Sequence, residues 1–407
     1  MIPFLRKQFN ASFTSEKYQQ FLQRIDDLSG THVEFRLAET PCFFPKSMLD
    51  QMAGAGEELI RQLVTSEYCA QSDAAIPAEF NVPNEPSHPM FIQVDFGLVR
   101  DADGELRPKL VELQGFPSLY AYQVALAEAY LNTYGLDDAP GSSAGTASSA
   151  HLKYFLSGLD SNSYRELLKR AIVAEHDPEN VILMEIHPDA QKTLPDFLLT
   201  KKMLGVRTVD IIDVKKQGSQ LYYTRAGKGT PIRRIYNRTI VDDLERRGVK
   251  LAFDWRDDLD VEWAGHPNWY FRMSKFSIPY LRHPSVPKTW FLDDVGEIPA
   301  NLENYALKPL YSFAGRGVII APTNEDITAI PGPLRHDYIL QERMHFEPVI
   351  DTPFGKTRAE VRVMYVWLEK LTPVLTIIRM GRGLMMGVDH NRNMEWVGAS
   401  AGFYTAQ

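Results

Sequence analysis

Residues 180–213 restrict the possible folds more than any other part of this sequence. NVILMEI (180–186) is a mainly apolar segment of strand length. DFLLTKKMLG (196–205) is helical in pattern and stops at a glycine, and VRTVDIID (206–213) is a second strand. Strand, helix and strand at this spacing form a parallel α/β unit, because a crossover of this length lays the second strand beside the first in the same direction. SQLYYT (219–224) and PIRRIYN (231–237) continue as strands on either side of the turn RAGKG.

The flanking segments have a different texture. Residues 14–30 and 46–66 space their apolar side chains as helices do, with Leu49, Met52, Leu59, Ile60 and Leu63 on one face. MFIQVDFGLV (90–99) is a buried strand, RDADGELRP a turn, and KLVEL the returning strand of a hairpin. SLYAYQVALAEAYLNTYG is a helix ending at Gly135, a small-residue linker covers 138–150, and a helical region spans 151–174. Beyond 265, NWYFRMSKFSIPYL is mainly helical in pattern, with Pro279 expected to end or kink it. YALKPL, VII, DYILQERM (337–344), EVRVMYVW (360–367) and PVLTIIRM (373–380) are strands, the last two an antiparallel pair; VGASAGFYTAQ leaves little room for a further element. The expected division is 1–137, 151–260 and 265–407, in an α/β (α+β) chain without an internal repeat.

Composition excludes several classes. The 407 residues suffice for two or three domains at roughly 150 residues each, and 44% apolar residues allow a sizeable core. A net charge of −8 argues against a nucleic-acid footprint while leaving room for a locally basic pocket. Cys42 and Cys69 are the sole cysteines and no Cys-x-x-Cys occurs, so a reducing compartment, the cytoplasm, is expected. MIPFLRKQFNASF lacks the apolar core and cleavage site of a signal peptide, and no run of about 18 apolar residues could span a membrane. His-Glu-x-x-His and the phosphate loop G-x-x-x-x-G-K-[ST] are missing. GSSAG (141–145) matches G-x-S-x-G in letters but follows no strand, and is a flexible loop by composition.

The chemistry-bearing residues fall at strand ends. In KLVELQGFPSLYAYQ (109–123), Glu112 and Gln114 stand at i and i+2 and share a face, with Asp95 on the partner strand. Two carboxylates and an amide oxygen suit a hard cation; a solvated strand end is the ordinary alternative. In LKPLYSFAGRGVII (307–320), Lys308 precedes a loop containing Ser312, Gly315, Arg316 and Gly317. Glycines let backbone N–H groups wrap an anion and the lysine adds charge, although a plain hairpin turn uses the same glycines. LQERMHFE (340–347) runs from an apolar strand to a polar end. There Gln341, Glu342, Met344 and Glu347 offer a backbone edge for adenine and a carboxylate for ribose, or are merely solvated. Lys275, in SKFSIPYL, is a surface residue by default. Asp389, Asn391 and Asn393 could ligate metal, but no strand frames them and such polar clusters usually form turns. The acidic run DWRDDLDVEW (254–263) could attract a cationic amine such as a polyamine, but a solvated surface stretch is its ordinary reading.

Taken in order, Lys275, a Pro-bounded strand, Lys308, the glycine loop and Gln341–Glu342 resemble the ATP-grasp superfamily, in which two small α+β subdomains clamp ATP. The metal segment usual in that superfamily is expected after the last strands; here VDFGLVRDADGELRPKLVELQGFPSL carries it at the front. That arrangement resembles the circularly permuted ATP-grasp enzymes, typified by glutathionylspermidine synthetase, over most of the chain, with IRRIYNR (232–238) matching a Tyr-Arg-Arg-like strand. The resemblance implies ATP and Mg²⁺, with Asp95, Glu112 and Gln114 as metal ligands and Lys275, Lys308, Ser312, Gly315, Arg316, Gly317, Gln341, Glu342, Met344 and Glu347 around the nucleotide. It implies a ligase joining a small-molecule or peptide carboxylate to an amine through an acylphosphate, with Arg362 and Arg379 as the catalytic cations. Two positions depart from the pattern. Gln114 replaces the usual Asn, and Gln93 an Arg two residues before the Asp, so the γ-phosphate guanidinium must be Arg362 or Arg379. A phosphotransferase on the same scaffold and a non-catalytic nucleotide-binding protein are the alternatives.

Overall fold

The apolar run around Asp95 becomes the strand Phe91–Arg100, buried at every residue but the last. The chain turns through Gly104, whose φ of 82° favours glycine, and returns as Leu106–Gln114. On its other side Phe91–Arg100 pairs antiparallel with Gly355–Trp367. The sheet continues through Leu371–Gly381 and Gly398–Thr405 to Cys42–Phe43, with Ile350–Thr352 and Leu152–Lys153 attached, eight strands in all. This is a computed structural model; it describes residues 1–136, 152–311, 315–387, 391 and 393–405.

One face of the large sheet is apolar. Val94, Phe96, Leu113, Val361, Val363 and Ile378 pack with Leu49, Met52, Leu59 and Ile60 of the helix Lys46–Gln62, whose extent matches the spacing seen in the sequence. The opposite face carries Asp95, Glu112 and Arg362 in direct cross-strand register, with Glu360 beside Arg379 one step along. The expected α/β unit is present as a four-stranded parallel sheet, Glu262–Ala264, Arg234–Asn237, Val181–Glu185 and Arg207–Asp210. Its crossover helix Leu194–Leu204 ends on Gly205 in the left-handed region.

A small antiparallel sheet comprises Thr289–Phe291, Tyr338–Glu342, Tyr305–Pro309 and Ile319–Ile320. Leu292, Leu302, Leu307, Ile327 and Leu340 give it an apolar layer of its own. Alternation along the strands puts Lys308, Gln341 and Thr289 on the other side.

Several details depart from the sequence reading. NWYFRMSKFSIPYL is not one helix but Asn268–Arg272 followed by a 3-10 segment, Lys275–Tyr280; Ser274 caps the second piece and Pro279 lies inside it. PIRRIYN is split: Lys228–Ile232 belongs to an antiparallel ribbon and Arg234–Asn237 to the parallel sheet. VGASAGFYTAQ does contain a further element, the strand Gly398–Thr405. Its small residues are a packing requirement, since a Cβ on Gly402 would lie 2.6 Å from Thr376 Oγ1. The segments 1–137 and 265–407 both contribute to the large sheet.

Candidate active site

Asp95 and Glu112 face each other across the hairpin, and Gln93 faces Gln114. The register slips at Asp95/Phe96, so Phe96 pairs with Leu110 and Val111 is bulged out. The bulged carbonyl lies 3.5 Å from Lys308 Nζ, a contact between residues 197 positions apart. Lys308 Nζ also donates to Gln341 Oε1 at 2.6 Å, and Gln341 Nε2 donates to Thr289 Oγ1 at 3.1 Å. Lys275, buried on the 3-10 segment, places Nζ 3.5 Å from Glu112. Front hairpin and rear lysine strand therefore line one cleft.

Arg362 binds Asp95 in a fork, Nε to Oδ1 at 2.5 Å and Nη2 to Oδ2 at 2.7 Å, while Nη1 donates to Gln93 Oε1 at 2.9 Å. Arg379 donates to both Asp95 and Glu360. Burial alone would raise the Asp95 carboxyl, but the two guanidiniums hold it below the usual range. Glu360 goes the other way: burial raises it, and the charge of Asp95 adds to the rise against the pull of Arg379. Burial pushes the Lys308 ammonium down to about 8 while Glu112 and Glu360 act to keep its proton. Glu360 is the residue that reading the sequence missed. Its signal was present, because Glu360 and Arg362 stand at i and i+2 as Glu112 and Gln114 do.

The remaining expected residues are dispersed over other strands and loops. Gly315 and Gly317 both have left-handed φ, 73° and 72°, so the loop needs glycine there; Arg316 is exposed and Ser312 lies outside the described residues. Glu342 ends its strand 3.8 Å from Lys288. Glu347 sits instead on the hairpin, its N–H donating to Leu98 O and its carboxylate 3.3 Å from Arg100, with half-buried Met344 between the two sheets in sequence. Asn391 clamps a turn, accepting from the Arg382 and Gly383 N–H groups and donating to Met385 and Gly387 carbonyls; Asp389 is outside the described residues. Arg238, at the end of IRRIYNR, donates to Pro117 O and lies over the rings of Phe116 and Phe197, which steadies the turn after Gln114.

A cavity of about 20 Å³ opens beside Glu112, Gln114, Phe116, Lys275 and Tyr311. That is room for about one water, and small-molecule sites run to about 300–1,000 Å³. That space as it stands is too small for a nucleotide.

No protein-family model and no curated protein matches the sequence. Among solved structures, a glutathione synthetase-like effector (GSS30) from Globodera pallida, in apo form, is similar with a TM-score of 0.57 at 12% identity, over 95% of this chain and 98% of that one. The likeness shows the fold, a mixed α/β arrangement of glutathione-synthetase-like type. Among the described residues no helix is long and apolar enough to cross a membrane.

Proposed function

We propose that this chain is an ATP-dependent carboxylate–amine ligase of the permuted ATP-grasp kind, acting in the cytoplasm on a small-molecule or peptide acid and an amine. The observation that carries the reading is the meeting of Glu112 with Lys275 and of the Val111 carbonyl with Lys308, which brings the acidic hairpin and the lysine strand to one cleft.

The donor set suits Mg²⁺ delivered on the nucleotide. Glu112 and Gln114 present hard oxygens at the cavity, and Glu112 keeps a quarter of its side chain exposed. Among the described residues no three His, Cys, Asp or Glu side chains group as a metal cage. Mg²⁺ bound through phosphates needs only one or two protein carboxylates, and when bound it neutralises charge on the β- and γ-phosphates. Asp95 belongs to the same row, and its part is taken up below.

In this reading Lys275 and Lys308 hold the phosphate tail, the Gly315–Gly317 loop covers it, and the strand end at Gln341, Glu342 and Met344 borders the base. A substrate carboxylate oxygen attacks the γ-phosphorus and ADP leaves. The amine nitrogen then attacks the acyl carbon, phosphate leaves, and the nitrogen gives up a proton. In this reading Arg362 and Arg379 supply donors to the developing oxyanion; loss of one such donor typically costs ~10²–10³ in rate. The test is a hydroxylamine-trapping screen across carboxylic acids with ATP and Mg²⁺, because hydroxylamine intercepts an acylphosphate whatever the natural amine. A hydroxamate and stoichiometric ADP are expected for at least one acid class.

A second reading, a nucleotide-binding protein without turnover, is favoured by the engagement of Asp95 with two arginines and by the narrow cavity. ATP binding without ADP release across acids and amines would select it.

A further inference from the structure

We infer that the cleft takes the polyphosphate of its ligand on protein cations and needs no resident divalent ion, with Asp95 aiming Arg362 and Arg379 rather than ligating metal. The inference rests on the nucleotide reading above. Its first support is the geometry at Asp95: the side chain is 2% exposed, and both carboxylate oxygens accept from guanidiniums. A cation at Asp95 would have to break a forked, charge-assisted pair to reach an oxygen.

The second support is the row around it. Glu360, also buried, already accepts from Arg379, and the two further polar residues of the row, Gln93 and Gln114, are neutral amides. Gln93 spends its oxygen on Arg362 and its Nε2 on Ser118 O at 2.6 Å.

The third support is charge balance. Counted at their ordinary charges, Arg362, Arg379, Lys275 and Lys308 against Asp95, Glu112 and Glu360 leave 4 − 3 = +1 among these seven side chains. A resident Mg²⁺ would raise this to +3 in a site where buried charge is already costly. A polyphosphate instead supplies the missing negative charge. Mg²⁺ arriving on a nucleotide can still meet Glu112 and Gln114 at the cavity.

The probe is inorganic tripolyphosphate, titrated calorimetrically into the full chain in EDTA and again in Mg²⁺. Affinities within tenfold of each other are expected; weakening in EDTA by more than tenfold overturns the inference and leaves the ligase reading standing. Absence of binding in both buffers overturns the nucleotide reading, and the inference with it. Arg379→Gln is expected to weaken tripolyphosphate at least tenfold in EDTA, and an unchanged affinity contradicts the cradle. Mn²⁺ paramagnetic resonance of the wild-type chain without nucleotide supplies a measurement that needs no variant. An undiminished free-ion signal is expected, and stoichiometric capture of Mn²⁺ overturns the proposal.

Discussion

Near the antiparallel ribbon, Asp257 pairs with Lys216 at 2.6 Å and Asp260 with Arg233 at 2.7 Å, the four side chains keeping 28–56% exposure. In the cleft, Asp95, Glu112 and Glu360 pair with Arg362, Arg379 and Lys275 at 2–26% exposure. The residue types are nearly the same and the setting differs. Exposed pairs contribute about 0–1 kcal/mol each, because water screens them and the side chains lose freedom. Buried pairs have surrendered their hydration, so each charge depends on its partner and an incoming anion is felt strongly. The run 254–263, read from sequence as a lure for a cationic amine or as solvated surface, is in the structure largely paired with cations outside it: Lys216, Arg233 and, at Glu262, Arg234, while Asp258 receives a hydrogen bond from Asn84.

The contrast can be broken most directly at the cleft. Glu112→Ala and Lys308→Ala are each expected to cut hydroxamate formation by at least ~10²-fold with the fold retained by circular dichroism. A full signal from either would leave the cleft no more functional than the surface run. Next in size, Asp95→Ala leaves Arg362 without a carboxylate and Arg379 with Glu360 alone. A loss of about 3–5 kcal/mol in urea unfolding is expected, the range for breaking a buried ion pair. A loss below ~1 kcal/mol would put Asp95 in the same class as Asp260.

Glu185 sharpens the comparison as a buried carboxyl in which burial outweighs the nearby Arg238, its pKa raised to about 7. Here the fold favours the neutral acid. The associated stability is fully present below the ordinary value near 4.5 and is lost as pH rises through 7. Glu185→Gln is therefore expected to stabilise the chain at pH 8, by up to about 3 kcal/mol, and far less at pH 5. Equal effects at the two pH values, read by thermal melting, would show that the group stays ionised. Smallest of all, Asp260→Asn is expected to change stability by no more than ~0.5 kcal/mol at any salt concentration.

Periodicity carried the hairpin, the helix Lys46–Gln62 and the crossover Val181–Glu185, Leu194–Leu204, Arg207–Asp210, because each buries one face or a whole run. It failed at Gly398–Thr405, where Gly, Ala and Ser have low strand propensity and the strand exists because its neighbours approach closely. It failed at Lys275–Tyr280, where a serine cap and a proline divide one apolar pattern into two short pieces. In the site, Asp95, Glu112, Lys308 and Arg362 were legible as chemistry at strand ends and on strand faces. Their mutual pairing was not, since register between strands 267 residues apart leaves no mark in local spacing. Glu360 showed its i, i+2 spacing to Arg362, but its pairing with Arg379 on the next strand left no such mark.

The position of Gly355–Trp367 between Leu371–Gly381 and the front hairpin has a consequence for synthesis. When Phe91–Arg100 emerges from the ribosome, the strand that will cover its open edge has not been translated. A nine-tenths-buried strand must wait beside water for most of the elongation time. Nascent chains stalled before residue 355 should therefore recruit chaperones at this edge.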